Sequence, residues 1–220
     1  MGLRTTALVI LKKAFPVDSI LCLSYPDLVC TTGEIERIYG YKPQKTTDYG
    51  TWHGKDHPLP DTQEFFEFVG AKKVDYIDVH ASRGCETIVD LNKRQRLGQY
   101  DLVIDPGTTE HCFNIGQAMV NAAEAVKPGG FIFHSPPVTM VNHGFWNVCP
   151  TALWDFYTQN NWRVRGIWVA RKDEIEPLDN PVKRMQIVGE SSLYCIAQRR
   201  GGEKMRWPTQ SKYLANPDLK

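Results

Sequence analysis

The sequence lacks a Cys-x-x-C pair, a long apolar run, a surplus of charge of either sign and a G-x-G-x-x-G element. Each absence removes a class of protein. Six cysteines (Cys22, Cys30, Cys85, Cys112, Cys149 and Cys195) are scattered, with neither a disulfide framework nor a zinc-knuckle pattern. Cys22 and Cys195 sit inside apolar, strand-like runs, where a free thiol behaves as a small hydrophobe. A reducing cytoplasm is therefore the expected compartment. The early apolar run Ala7–Leu11 is too short for a signal-peptide core or a membrane span. With 26 Lys and Arg against 25 Asp and Glu, the net charge of +1 gives no electrostatic case for nucleic acid or an anionic membrane. The basic stretch Arg199–Arg206, within a tail of 199–220, reads as a solvated terminus. A nicotinamide-binding domain is disfavoured as well: it needs the missing glycines and an acid about 20 residues beyond them, and Asp78 lies much further along.

What is present is the composition of one ordinary globular domain spanning 1–220, with 42% hydrophobic and 23% charged residues. Its most informative stretch is Tyr100–Pro137. An apolar strand centred on Leu102–Ile104 runs into an acidic turn containing Gly107. A helix follows from about Glu110 to Val126, with Phe113, Ala118, Val120 (or Met119), Ala122 and Ala125 in partial apolar period. Lys127-Pro128-Gly129-Gly130 ends it, and Phe131–His134 is the next strand. That order describes a right-handed βαβ crossover.

Around it, Ser19–Ser24 reads as a buried first strand ending at Tyr25-Pro26-Asp27, with Val74–Val79 and Thr87–Val89 as the second and third. Arg163–Ala170 and Ser192–Gln198 are the last two strands, joined by a long charged linker (Arg171–Glu190). Helices are expected from Thr5 or Thr6 to about Ala14, over Gly33–Tyr39, after an Asp61 cap with Glu64 at the capping-box position, and over Thr151–Gln159 behind Pro150. Gly40–Pro60 reads as a long structureless loop of the kind that serves as a lid or partner surface. The fold class is α/β: a Rossmann-like three-layer sandwich whose mostly parallel central sheet ends in a terminal strand pair.

Open parallel sheets bind ligands beyond the carboxyl ends of their strands. Asp105, Gly107 and Thr108 occupy that edge; Gly107 permits close approach of a ligand, or the turn is a plain one capped by Thr108 or Thr109. Histidine titrates near neutrality, so His111, His134 and His143 are candidate general bases facing an acceptor, with structural or loop roles as the alternative. His53 and His57 have metal-like spacing, but Gly54 and Pro58 argue against a helix presenting both on one face, and no metal centre is expected.

Taken together, Tyr100–Asp105 with its acidic end, the Glu110-His111 pair and Lys127-Pro128-Gly129-Gly130 resemble class I S-adenosylmethionine-dependent methyltransferases, over roughly Ser19–Ala170. His143-Gly144-Phe145-Trp146-Asn147 is similar to a subgroup of bacterial methyltransferase-like proteins linked to glycans or surface polymers. The resemblance implies S-adenosylmethionine held by the strand-one turn (Ser24, Tyr25, Asp27), by Asp78 at the ribose, by Asp90 and Asn92 at the adenine, and by Asp105, Gly107 and Thr108. It also implies a small-molecule or glycan-linked acceptor facing His111, His134 or His143. The sequence departs from the family pattern in Ser24-Tyr25-Pro26-Asp27-Leu28, where a glycine-rich loop is usual: no glycine occurs before Gly33, and Pro26 removes an N–H donor. That departure sets up a second expectation, a non-catalytic methyltransferase-like module that binds a protein partner or a second copy of itself.

Overall fold

The computed structural model describes residues 1–201 and 204–216; parts of the basic stretch and of the 199–220 tail lie outside the described residues. The chain opens with β1 (Gly2–Arg4) and α1 (Thr5–Leu11) and enters the central sheet as β2 (Ser19–Leu23). β3 (Asp27–Val29), α2 (Thr32–Tyr39), the short strands β4 (Thr46–Thr47) and β5 (Leu59–Pro60), and α3 (Thr62–Phe68) come next. β6 (Lys73–Asp78), β7 (Glu86–Ile88), β8 (Tyr100–Asp105), α4 (Ile115–Glu124), β9 (Val126–His134) and α5 (Pro150–Gln159) follow. β10 (Arg163–Arg171), β11 (Glu174–Pro177), β12 (Ser192–Gln198) and α6 (Ser211–Ala215) complete the order.

Eight strands form the central sheet in the order β11-β10-β12-β9-β8-β2-β6-β7. The run β9-β8-β2-β6-β7 is parallel, and β12 inserts antiparallel between β9 and β10. Strand side chains alternate faces. Leu21, Leu23, Val103 and Ile132 share a core with Ala118 and Ala122 of α4 and Leu153 and Phe156 of α5. Ile20, Cys22, Leu102, Ile104 and Phe133 share another with Leu8 and Leu11 of α1, Ile35 of α2 and Phe65 and Phe66 of α3. The expected three-layer sandwich with a terminal antiparallel pair is therefore the fold. Central β2 is buried along its whole length, which is why it reads as an uninterrupted apolar run rather than an alternating one. Among the described residues no helix is long and apolar enough to cross a membrane.

From β2 the chain crosses over the α1–α3 face to β6, and from β8 it crosses over the α4 face to β9. Crossovers of one hand that run in opposite directions along a sheet occupy opposite faces. The strand order consequently reverses between β2 and β8, and a crevice opens at their carboxyl ends.

Several local expectations are corrected. The helix expected from Glu110 is a 3-10 turn over Thr109–His111, an extended step at Cys112, and then α4 capped by Asn114, whose side chain accepts from Gln117 N–H (3.3 Å). Thr108 and Thr109 do not cap it, because their N–H groups are drawn back to Asp105. The Lys127–Gly130 turn lies within β9, opposite a register shift in β8. Asp61 caps α3 as expected, but Glu64 turns outward to accept from Tyr41, Gln44 and Lys45 instead of closing a capping box. Gly40–Pro60 is not structureless: β4 pairs with β5 around a 3-10 turn, Tyr49–His53. The linker after β10 holds β11, and β1 pairs in parallel with β3.

The glycine-free strand-one turn is resolved by Ser24 itself. This buried serine adopts φ 103°, a conformation ordinarily left to glycine, and its hydroxyl lies 3.1 Å from Thr108 Oγ1, which donates to the Leu23 carbonyl. A bond across the crevice thus holds a backbone that costs about 1–3 kcal/mol to maintain. Ser24→Val, with its branched Cβ, should lower Tm by about 5 °C, while Ser24→Gly should stay within about 3 °C of the parent. Equal melting of the two variants would contradict this account of the turn.

Candidate functional site

The crevice is built around Asp105, which ends β8 fully buried. One carboxylate oxygen accepts from the N–H groups of Thr108 (2.8 Å) and Thr109 (3.2 Å); the other accepts from Thr109 Oγ1 (2.6 Å) and from His134 Nδ1 (2.7 Å). Burial works to raise the Asp105 carboxyl, but the bonds from His134, Thr109 and Thr108 outweigh it and hold the group below the ordinary carboxylate range. Since the carboxylate only accepts, Nδ1 of His134 carries a proton, and Nε2 is hydrogen-bonded to the Tyr157 hydroxyl (2.5 Å). His134 is buried with both ring nitrogens engaged, so it is an interior strut rather than a group facing an acceptor.

The turn that Asp105 folds back carries Glu110 inward and His111 outward. Glu110 is 1% exposed, and neither carboxylate oxygen finds a hydrogen bond among the described residues. Burial, with the Asp105 charge adding, pushes its carboxyl up to about 9. His143, on the loop after β9, lies 3.9 Å from it through Nε2, and its ring sits 5.4 Å from that of His111. Burial and the His143 charge lower the His111 imidazole. Gly107 lies beneath this group at φ 99°; a Cβ there would come within 2.8 Å of Glu110 Oε1. Glu110, Gly107 and His143 border a cavity of about 650 Å³ whose other walls include Glu34, Lys55 and Ser135.

On the other side of the turn the buried Cys112 thiol is pushed up to about 11, first by burial and then by Asp105, Asp90, Glu110 and Asp78. Asp78 is half-buried and accepts from His80 N–H (3.3 Å). Asp90 accepts from the backbone and side chain of Asn92 (both 3.0 Å), and Asn92 Oδ1 in turn accepts from Asn114 N–H (2.9 Å), pinning the loop after β7 to the start of α4.

Two predicted residues belong elsewhere. Tyr25 packs on the α1–α3 face against Tyr76, ring centroids 4.8 Å apart. The buried carboxylate of Asp27 is engaged by His53 (2.8 Å) and Arg83 (2.7 Å). The Arg83 guanidinium lies 3.3 Å from the Tyr49 ring centroid and 4.8 Å from that of Trp52. Sequence reasoning missed Arg83 and this use of the Gly40–Pro60 segment, since neither spacing nor composition brings position 83 to position 49. It named Glu110 only beside His111; the signal available was an acid directly following a turn that buries its neighbours.

The strand order, reversing between β2 and β8, defines a Rossmann-like α/β fold. Among solved structures, the chain is similar to the N-methyltransferase NodS of Bradyrhizobium japonicum (13% identity, TM-score 0.46, 88% of this chain and 92% of that one). It is also similar to an S-adenosylmethionine-dependent methyltransferase of Clostridium acetobutylicum (11%, 0.39, 90% and 92%) and an O-methyltransferase family protein of Burkholderia thailandensis (15%, 0.36, 90% and 59%). No family model matches the chain, and no curated protein matches its sequence. At these identities the fold class rests on the chain's own strand order.

Asp105 makes the site's stability pH-dependent with a definite sign. Its folded-state pKa is depressed, so its contribution is complete above the unfolded value of about 3.9 and is lost as pH falls through the lower folded value. Asp105→Asn should cost about 3–5 kcal/mol at pH 7, by stranding donors around a neutral group, and should melt with a shallower pH dependence between about 5 and 3. Parallel acid limbs for parent and variant in a thermal-melt series would contradict the assignment.

Proposed function

We propose that the chain transfers a methyl group from S-adenosylmethionine to a polar small-molecule or glycan-linked acceptor. The observation that carries this reading is the position of Asp78 at the carboxyl end of β6 and of Asp105 at that of β8, on either side of β2, where the strand order reverses. S-adenosylmethionine, when bound, supplies an electrophilic methyl on a positively charged sulfonium; with its ammonium it is a net cation, a charge that the Asp78 and Asp90 carboxylates would complement. Asp78, at the end of β6, would accept from the vicinal hydroxyls of the ribose. Ser24, in its glycine-like conformation, lets the backbone turn sharply without a glycine.

The acceptor side is the cavity of about 650 Å³, a volume within the range of small-molecule sites. Its wall carries charged and hydroxyl groups, including Arg4, Thr5, Glu34, Lys55 and Ser135, which suit a hydroxyl-rich acceptor. Positioning supplies much of the catalysis in an in-line displacement, and a proton must leave only where the acceptor is a hydroxyl or an ammonium. Glu110 and His143 are the titratable groups on that wall nearest the turn.

A second reading, a non-catalytic module acting as a binding or structural subunit, is favoured by one observation. The Tyr49–His53 turn and Arg83 close over Asp27, so that part of the strand-one turn is engaged by the chain itself. Thermal unfolding with S-adenosylmethionine or S-adenosylhomocysteine separates the two. Ligand at about 100 times its Kd should stabilise by about 2.7 kcal/mol, raising Tm by about 5–10 °C, and Asp78→Ala should abolish the rise. No shift at millimolar ligand, together with self-association by light scattering, would favour the module.

A further inference from the structure

We infer that Glu110, His111 and His143 form a binding site for a divalent transition metal of the zinc class, open toward the acceptor cavity. One ligand atom from each of the three lies within 4.8 Å of the others. Two imidazoles and a carboxylate are a donor set suited to zinc, cobalt or iron rather than to magnesium or calcium, which favour all-oxygen cages. Three protein ligands leave a coordination position for water or substrate, as catalytic sites of this type do.

An independent observation points the same way. Glu110 is buried, both of its oxygens lack a hydrogen bond among the described residues, and its side chain borders the cavity. A buried carboxyl without a hydrogen bond is costly, and a bound cation shared with His143 is a partner that would satisfy it.

The surrounding backbone holds the three residues in place. Phe145 N–H donates to the Glu110 carbonyl (3.0 Å), and Trp146 Nε1 donates to the Cys112 carbonyl (3.1 Å). Gly144 packs so closely that a Cβ would lie 3.0 Å from the Glu110 carbonyl oxygen and 3.1 Å from its Cγ. The loop bearing His143 is thus stitched to the turn bearing Glu110 and His111 on both sides of the cluster. Phe113 meets Phe145 edge-on with centroids 5.5 Å apart, adding a further clasp. Metal–ligand distances of about 2.0–2.2 Å would draw the donors to about 3.4 Å apart, a closure that exposed imidazoles make by side-chain rotation. Bound there, the ion would meet an acceptor oxygen at the cavity wall and lower its pKa, so that His143 acts through the metal rather than as a free base. That catalytic use rests on the methyl-transfer reading; the binding site does not.

The test is calorimetric titration of Zn²⁺ into the chelator-stripped full chain carrying Cys85→Ser and Cys149→Ser, which removes the two exposed thiols as competing zinc ligands. One Zn²⁺ per chain is expected, with affinity falling at least about tenfold in His143→Ala and in His111→Ala. Co²⁺ in place of zinc should give visible d–d absorption that His143→Ala removes, and millimolar Mg²⁺ should not compete. Because His143 is 47% exposed, its metal-free variant should melt with the parent, which separates lost ligation from lost folding. Absent saturable binding, equal zinc affinity in His143→Ala, or displacement by Mg²⁺ would each overturn the site. Thermal shift of the stripped chain with S-adenosylhomocysteine reports on the methyl-transfer reading separately.

Discussion

The buried carboxylate of Asp105 is the constraint on which the functional edge depends. A charge in the interior persists only with a full set of donors, and Asp105 takes them from two elements at once: Thr108 and Thr109 of its own turn, and His134 at the end of β9. Through His134 the link reaches Tyr157 of α5, so sheet, turn and covering helix are fixed to one another. The folded-back turn then has no freedom to begin α4 directly. It makes a 3-10 turn instead, which points Glu110 into the protein and His111 outward. The unpartnered carboxyl beside the cavity is a consequence of satisfying the neighbouring one.

The two sides of the crevice differ in chemistry. Toward β6 and β7, Asp78 ends its strand half-buried, and the Asp90–Asn92–Asn114 bonds lock the loop after β7. Toward β9 and β10, a polar cavity takes its walls from the chain's first residues, the 53–57 segment and the turns after β8 and β9. Thr108 stands between them and joins the ends of β2 and β8. Such a division suits a reaction with two substrates that approach one another across a sheet edge.

Much of this was legible in the sequence because periodicity records burial. The apolar run Ile20–Leu23 of β2 and the strand–helix–strand pattern from Tyr100 to His134 are enough to give the layers and the strand ends around which a site is expected. The site was legible by position and not by contact. Asp105, Gly107 and Thr108 could be placed at the edge, but nothing local distinguishes the buried His134 from the exposed His143; that difference arises when β12 pairs with β9 and α5 covers it. The start of α4 differs from the sequence expectation because Asp105, three and four residues upstream, takes the Thr108 and Thr109 N–H groups, and the helix begins only at the Asn114 cap. Ser24 in a glycine-like conformation has no sequence signature at all, since the bond that holds it comes from Thr108, far along the chain. Tyr25 and Asp27 were assigned by analogy with a loop whose neighbours differ here: Arg83 and the Tyr49–His53 turn claim that surface.

The central claim is that the crevice between β2 and β8 is a cofactor edge. Amide hydrogen exchange of the chain with and without S-adenosylhomocysteine tests it most directly, because it reports where a ligand acts as well as whether it binds. The account predicts slowed exchange at the end of β6 near Asp78, in the Asp90–Asn92 loop and in the turn from Gly107 to Phe113, with β10 to β12 unchanged. Protection confined to the Gly40–Pro60 segment, or none at saturating ligand, would contradict it.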